Sequence, residues 1–368
     1  MKVSFRWFGS KDDSVSLAHI KQIPGIEGIV GTLPDIPAGE LWPLDRISAL
    51  KEEVAQYGLK LEVIESVNIH EDIKLGLPTR DHYIENYIAT IRNLSQIGIK
   101  VICYNFMPIF DWIRSDLAKV LADGSSVLAY EKAKVETVDP SILFGKMEGE
   151  ANGFSLPGWE KERLKLIKEL FELYKVVTEE DLFENLKYFL EKVIPVAEEC
   201  GIKMAIHPDD PPWSVFGLPR IVTNKENMLR IIQLVDSPSN GLTICSGSLG
   251  ANPENNIPEI MKYFCEIDRV PFVHIRNIKL YENGDFEERS HLNSDGSLDM
   301  VEIVKSLHAA GFTGYFRPDH GRMIWDEEAR PGYGLYDRAL GIMYILGIWD
   351  NLENLKKEGV KCFQSTIS

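Results

Sequence analysis

Short runs of β-branched and aromatic residues alternate along this chain with longer stretches whose apolar residues recur every three or four positions. The runs are VSFRWFG (3–9), IEGIVGT (26–32), KLEVIES (60–66) and KVICYNF (100–106), followed by KMAIHPD (203–209), GLTICSG (241–247), PFVHIRN (271–277) and GYFRPDH (314–320). They have strand length and are apolar enough to be buried on both faces, as in a parallel sheet. Between them lie amphipathic stretches, among them PLDRISALKEEVAQYG, RDHYIENYIATIRNLSQIG, DLFENLKYFLEKVIPVAEECG, NKENMLRIIQLVDS and DMVEIVKSLHAAG. Several end in Gly just before the next strand, the signature of a left-handed helix C-cap. Eight such repeats predict a (β/α)₈ TIM barrel spanning 1–368 as one domain. The competing doubly wound sheet is disfavoured because no G-x-G-x-x-G follows the first strand.

One interval breaks the rhythm. Residues 107–178 separate the fourth strand from its helix, too long for a simple crossover. Within it IRSDLAKVLADGSSVLAYEKAKV has strand-like flanks around an Asp-Gly turn, which predicts a β-hairpin. GWEKERLKLIKELFELYKVV reads as helical. An insertion after a barrel strand emerges on the active-site face, so a lid or a subunit contact is expected, with a decorated surface loop as the alternative.

Composition narrows the function. The chain has 44% apolar and 26% charged residues, enough for a large core, and a net charge of −16 that argues against nucleic-acid or anionic-membrane partners. No apolar run approaches the roughly 20 residues of a membrane span. The N-terminal MKVSFRWFGSKDD lacks an apolar h-region, so no signal peptide is expected. Five scattered cysteines without C-x-x-C spacing suggest neither a disulfide framework nor a zinc ribbon, and a cytoplasmic location is expected.

Barrel strands converge at their C-terminal ends. Four consecutive strands end in a potential metal ligand: His207 in AIHPDD, Cys245 in TICSGS, His274 in FVHIRN and Asp319 in RPDHGR. Alone, each reads more simply as a packed or hydrogen-bonded core residue. Together at equivalent strand ends they point to a divalent ion held by two imidazoles, a thiolate and a carboxylate. Thiolate favours zinc or ferrous iron and carboxylate suits manganese, so the donors alone do not choose. Strand alternation puts Arg317 and Asp319 on one face. Pro318 ends the pairing, which frees His320 to turn toward the barrel mouth as a proton-transfer group. Arg276, two residues past His274, is suited to grip a substrate carboxylate or to make an interior salt bridge with Glu65 or another barrel carboxylate. RPGYGLYDRALG (330–341) sets Tyr333 in a glycine-rich loop as a candidate acid.

The motifs IHPDDPPW, TICSGS, VHIRN, RPDHGR and PGYGLYDRALG, with SFRWFG at the start, resemble the mannonate dehydratase family from the first strand to the last helix. That resemblance implies a xylose-isomerase-like barrel and dehydration of D-mannonate to 2-keto-3-deoxy-D-gluconate in hexuronate catabolism, with Mn2+ or Fe2+ as cofactor. It implies His207, Cys245, His274 and Asp319 as metal ligands and His320 with Tyr333 as the acid/base pair, Tyr336 being a close neighbour of the latter. Arg6, Asn105 and Arg276 are expected to hold substrate from their strand-end positions. A homo-oligomer, a dimer, is expected. Elimination of water next to a carboxylate needs a metal to stabilise developing charge and two proton-transfer groups, which the residues supply. A sugar or sugar-acid isomerase or epimerase would use similar ligands. A metal-dependent DNA-repair nuclease is disfavoured by the charge, and a non-enzymatic binding protein would need no acid/base pair.

Overall fold

A computed structural model describes residues 1–137 and 166–366, with side chains as far as 358. All eight expected strands form, and they close in the order β1-β12-β9-β8-β7-β4-β3-β2. These are β1 (Lys2–Arg6), β2 (Gly28–Gly31), β3 (Lys60–Glu65), β4 (Val101–Tyr104), β7 (Lys203–Ile206), β8 (Asn240–Cys245), β9 (Phe272–Ile275) and β12 (Tyr315–Pro318). Every neighbouring pair is parallel, and the ring closes where Lys2 and Val3 face Tyr315 and Phe316. The helices lie where the periodicity puts them, over Leu44–Gln56, Arg80–Gln96, Glu179–Glu199, Lys225–Leu234 and Met300–Ala309. Gly58, Gly98, Gly201 and Gly311 follow four of them with positive φ, as a left-handed C-cap requires.

The two faces of each strand do different work. Outward residues such as Ile64, Ile102, Ile206, Ile244, Ile275 and Phe316 join the core under the helices. Inward residues low in the barrel form a separate cluster of Val30, Val63, Val101, Cys103, Ala205, Phe272 and Tyr315. Because alternation has a period of two, the next inward residues are Glu65, Asn105, His207, His274 and Arg317. A polar layer at the mouth is therefore built on an apolar one beneath it.

The insertion does contain a hairpin, β5 (Asp116–Val120) with β6 (Ser126–Tyr130), paired antiparallel. Of the helical stretch expected over 158–177, Ile167–Tyr174 is a helix, and the part before 166 lies outside the described residues. The sequence reading did not anticipate a second hairpin, β10 (Asn277–Leu280) with β11 (Phe286–Arg289), which begins one residue past Arg276. It joins the first in a four-stranded sheet of order β10-β11-β6-β5. Its signal was the Asn-Gly pair in KLYENGDFEER, a hairpin turn between two extended runs. Among the described residues no helix is long and apolar enough to cross a membrane.

Candidate active site and metal centre

The barrel brings His207, Cys245, His274 and Asp319 together, with one donor atom from each lying within 4.8 Å of the others. Register accounts for part of this, since His274 lies opposite Cys245 on β8 and opposite Arg317 on β12. His207 Nδ1 is 2.7 Å from the Pro208 carbonyl, to which it can donate. Its Nε2 is then a lone-pair donor, 3.0 Å from His274 Nδ1. On its far side His274 Nε2 accepts from Arg317 Nε at 3.1 Å and lies 3.4 Å from Glu65 Oε2, the carboxylate that would take its N–H were Nδ1 to hold a metal. Cys245 Sγ is 3.2 Å from Asp319 Oδ2 and accepts from Ser248 N and Oγ. Two imidazoles, a sulfur and a carboxylate with such outer partners are chemically suited to a divalent transition metal.

Buried charged side chains surround these donors. Arg317 reaches Glu65 at 2.8 and 2.9 Å and Asp319 Oδ1 at 2.8 Å. Arg276 reaches Asp210 Oδ2 at 2.6 Å, Glu288 Oε1, and Asp319 Oδ2 at 2.8 Å through Nε. Arg114 binds both oxygens of Asp210, at 2.8 and 3.1 Å, and Glu288 at 2.9 Å. Burial would push Asp319 up, but His320, Arg317 and Arg276 together hold it well below the usual carboxylate range. Glu288 is likewise raised by burial and lowered further by Arg276, a hydrogen bond from His320 and Arg114, to about 2.

Arg276 thus makes interior salt bridges with carboxylates other than Glu65, which Arg317 takes. It is fully buried and sits behind Asp319 rather than on the cavity wall. Its guanidinium nitrogens face Asp210, Glu288 and Asp319, carboxylates of the chain itself. Gly247 is required here because a Cβ would lie 2.5 Å from Arg276 Nε.

Above the donors lies a cavity walled by Arg6, Asn105, Trp112, His207, Asp319, His320 and Tyr333 among others. His320 has turned into the mouth past Pro318. Its Nε2 is 3.1 Å from the Tyr333 hydroxyl and its Nδ1 is 3.2 Å from Glu288 Oε1. Trp112 packs edge-on against its ring at 5.6 Å. Gly332 has φ +80° and lets the loop pass the imidazole, since a Cβ there would meet that ring at 3.2 Å and Leu128 at 2.8 Å. Burial raises Tyr333 well above an ordinary tyrosine, so its phenol stays protonated. Tyr336, by contrast, is 42% exposed and tilts against Trp325. Arg6 donates to the Gly31 and Glu65 carbonyls at 3.0 Å and to Ser66 Oγ at 3.3 Å, while its buried Nε has no acceptor among the described residues. Asn105 Oδ1 accepts from Met107 N at 3.2 Å.

Four participants escaped the sequence reading. Glu288 was hidden in the unrecognised hairpin, and Asp210 stands three residues past His207 in the quoted IHPDD. Arg114 and Trp112 lie in the insertion, where no periodicity points to a strand end.

The sequence profile described as D-mannonate dehydratase (UxuA) matches residues 1–359. A mannonate dehydratase of Geobacillus thermodenitrificans is 70% identical over 99% of each chain. One from Thermotoga neapolitana is 61% identical over 97% of this chain and 99% of its own. The crystal structure of mannonate dehydratase from Streptococcus suis serotype 2 superposes with a TM-score of 0.87 at 46% identity, covering 98% of this chain and 96% of that one. A 3-keto-D-glucoside 4-epimerase from E. coli, at 14% identity and a TM-score of 0.55 over 94% and 99% of the two chains, shares the fold alone. On these matches the chain belongs to the D-mannonate dehydratase family.

Proposed function

We propose that this chain is a metal-dependent mannonate dehydratase, converting D-mannonate to 2-keto-3-deoxy-D-gluconate and water in hexuronate catabolism. Family membership sets the reaction. The observation on the site that carries the reading is the His320–Tyr333 pair, 3.1 Å apart beside the four-donor cluster. His207, Cys245, His274 and Asp319 would hold Mn2+ or Fe2+. When bound, such an ion supplies electrostatic stabilisation of the negative charge that develops at the substrate carboxylate.

The residues then divide the work. His320 Nε2 faces the cavity while Nδ1 is held by Glu288, an orientation suited to taking the C2 proton. Tyr333 stays protonated and supplies a proton to the departing C3 hydroxyl. The C2–H and C3–O bonds break, water leaves, and the resulting enol becomes the 2-keto acid. Arg6 and Asn105 line the cavity wall and hold the substrate there. Arg276 acts as a positioning residue for Asp319 and Glu288.

The isomerase or epimerase reading draws only on likeness of fold, whereas the dehydratase reading rests on relatives at 61–70% identity over nearly the whole chain. A homodimer is part of the proposal, supported by Tyr336, Leu340 and Met343, exposed at helical spacing beside Trp325. The deciding experiment strips the protein with chelator, restores Mn2+ or Fe2+ anaerobically, and follows 2-keto acid formation from D-mannonate. Absence of product with every restored metal would sink the reading. Cys245→Ser should lose metal and turnover together while Cys103→Ser keeps both; full metal content in Cys245→Ser would remove Cys245 from the ligand set.

A further inference from the structure

Asp111 enters the active-site cavity from the insertion, one residue before the Trp112 that packs on His320. It is only 7% exposed, yet among the described residues its carboxylate has neither a hydrogen bond nor an ion pair. The other carboxylates at this mouth are all engaged: Glu65 by Arg317, Asp210 by Arg114 and Arg276, and Asp319 by Arg317 and Arg276. A carboxylate on the cavity wall that no group of the chain occupies is open to a ligand, and an ionised one can only accept. This wall of the cavity therefore offers acceptors to whatever fills it.

We propose that Asp111 is a specificity-determining residue that accepts hydrogen bonds from the polyol tail of the substrate, beyond C3. This rests on the mannonate reading above. The carboxylate end and the reacting C2 and C3 belong with the metal ligands, His320 and Tyr333, and like charge keeps C1 away from Asp111. What remains of a six-carbon aldonic acid is a chain of hydroxyls. A carboxylate has lone pairs enough to accept from two of them. The same charge repels a chain that ends in a second carboxylate, so Asp111 selects aldonates against the corresponding aldarates by attraction and repulsion together.

The experiment compares D-mannonate with D-mannarate, its C6-carboxylate analogue, in metal-loaded wild type, Asp111→Asn and Asp111→Glu. Asp111→Asn should raise KM for mannonate by roughly 10- to 100-fold with kcat changed little, and should narrow the preference over mannarate. Asp111→Glu keeps the charge but displaces it, so KM should rise while mannarate remains excluded. Calorimetric binding of mannonate to metal-loaded His320→Asn, with and without Asp111→Asn, reads the same contact without turnover and should show the same loss of affinity. A mannonate KM within twofold of wild type in both Asp111 variants, or unchanged binding in the double variant, overturns the proposal. So does Asp111→Asn that binds mannonate weakly yet excludes mannarate as strongly as before. Failure of the wild type to dehydrate mannonate is a separate outcome that removes the underlying reading, whereas wild-type turnover with indifferent Asp111 variants removes only this one.

Discussion

The lower and upper layers of the barrel interior are made by the same strands, two residues apart, and have opposite character. On β3 the pair is Val63 and Glu65; on β9 it is Phe272 and His274; on β12 it is Tyr315 and Arg317. The lower members pack together as an apolar plug. The upper ones join Arg114, Asp210, Arg276 and Glu288 in a buried lattice of charge around the four candidate metal ligands. Apolar contact is non-directional and tolerates small shifts, whereas each buried ion needs a particular partner at a particular distance. The lower layer therefore stabilises the barrel. The upper layer holds a site in place and is stable only as a complete set.

The largest test of that division is His320→Asn. His320 ends in the cavity without contributing to the plug, so its loss should slow elimination by roughly 10²–10⁴-fold, about 3–5 kcal/mol in the barrier, with metal content and melting temperature near wild type. A variant that lost its metal instead would make His320 a ligand or a ligand's support.

Next comes Glu288→Gln, which keeps the shape but leaves Arg114 and Arg276 short of a counter-ion. Breaking a buried set by removing one partner should cost roughly 3–5 kcal/mol of stability at neutral pH. Its pH signature follows from a pKa held at about 2 against an ordinary 4.5. A depressed carboxylate stabilises the fold fully above its unfolded value and loses that contribution as pH falls toward its folded value. Wild type should therefore lose this stabilisation between about pH 4.5 and pH 2, and Glu288→Gln should show a shallower slope there in denaturant titrations. Parallel slopes would mean that Glu288 is not the titrating group.

Val63→Ala in the lower layer should cost less, about 1–3 kcal/mol by denaturant unfolding, and leave KM and metal content unchanged. A kinetic defect equal to that of an upper-layer change would erase the distinction between the layers. The smallest effect belongs to Tyr336→Phe, which touches neither layer: stability within roughly 0.5 kcal/mol and turnover near wild type, against a severe loss in Tyr333→Phe. Comparable losses in the two would reverse the choice of tyrosine made from burial.

Much of this was readable in the chain. Periods of two and about 3.6 marked all eight barrel strands and the main helices, and strand alternation sent Glu65, His274 and Arg317 to one face. The four donors could be named because a parallel barrel gathers the C-terminal ends of its strands, so sequence position maps onto place in the site. His320 followed from Pro318, whose missing N–H ends the pairing.

What the sequence alone could not determine was which charges pair. Arg276 and Arg317 stand at similar strand ends, and local pattern offers both to Glu65. Register and the unread hairpin decide that Arg317 takes Glu65 while Arg276 goes to Asp210 and Glu288, up to 66 residues away in the chain. The same holds for Asp111, an ordinary acid in FDWIR until the fold buries it in the cavity without a partner. Periodicity is a local property set by backbone geometry, so it is legible one segment at a time. The pairing of buried charges depends on distances between segments, and those exist only once the barrel has closed.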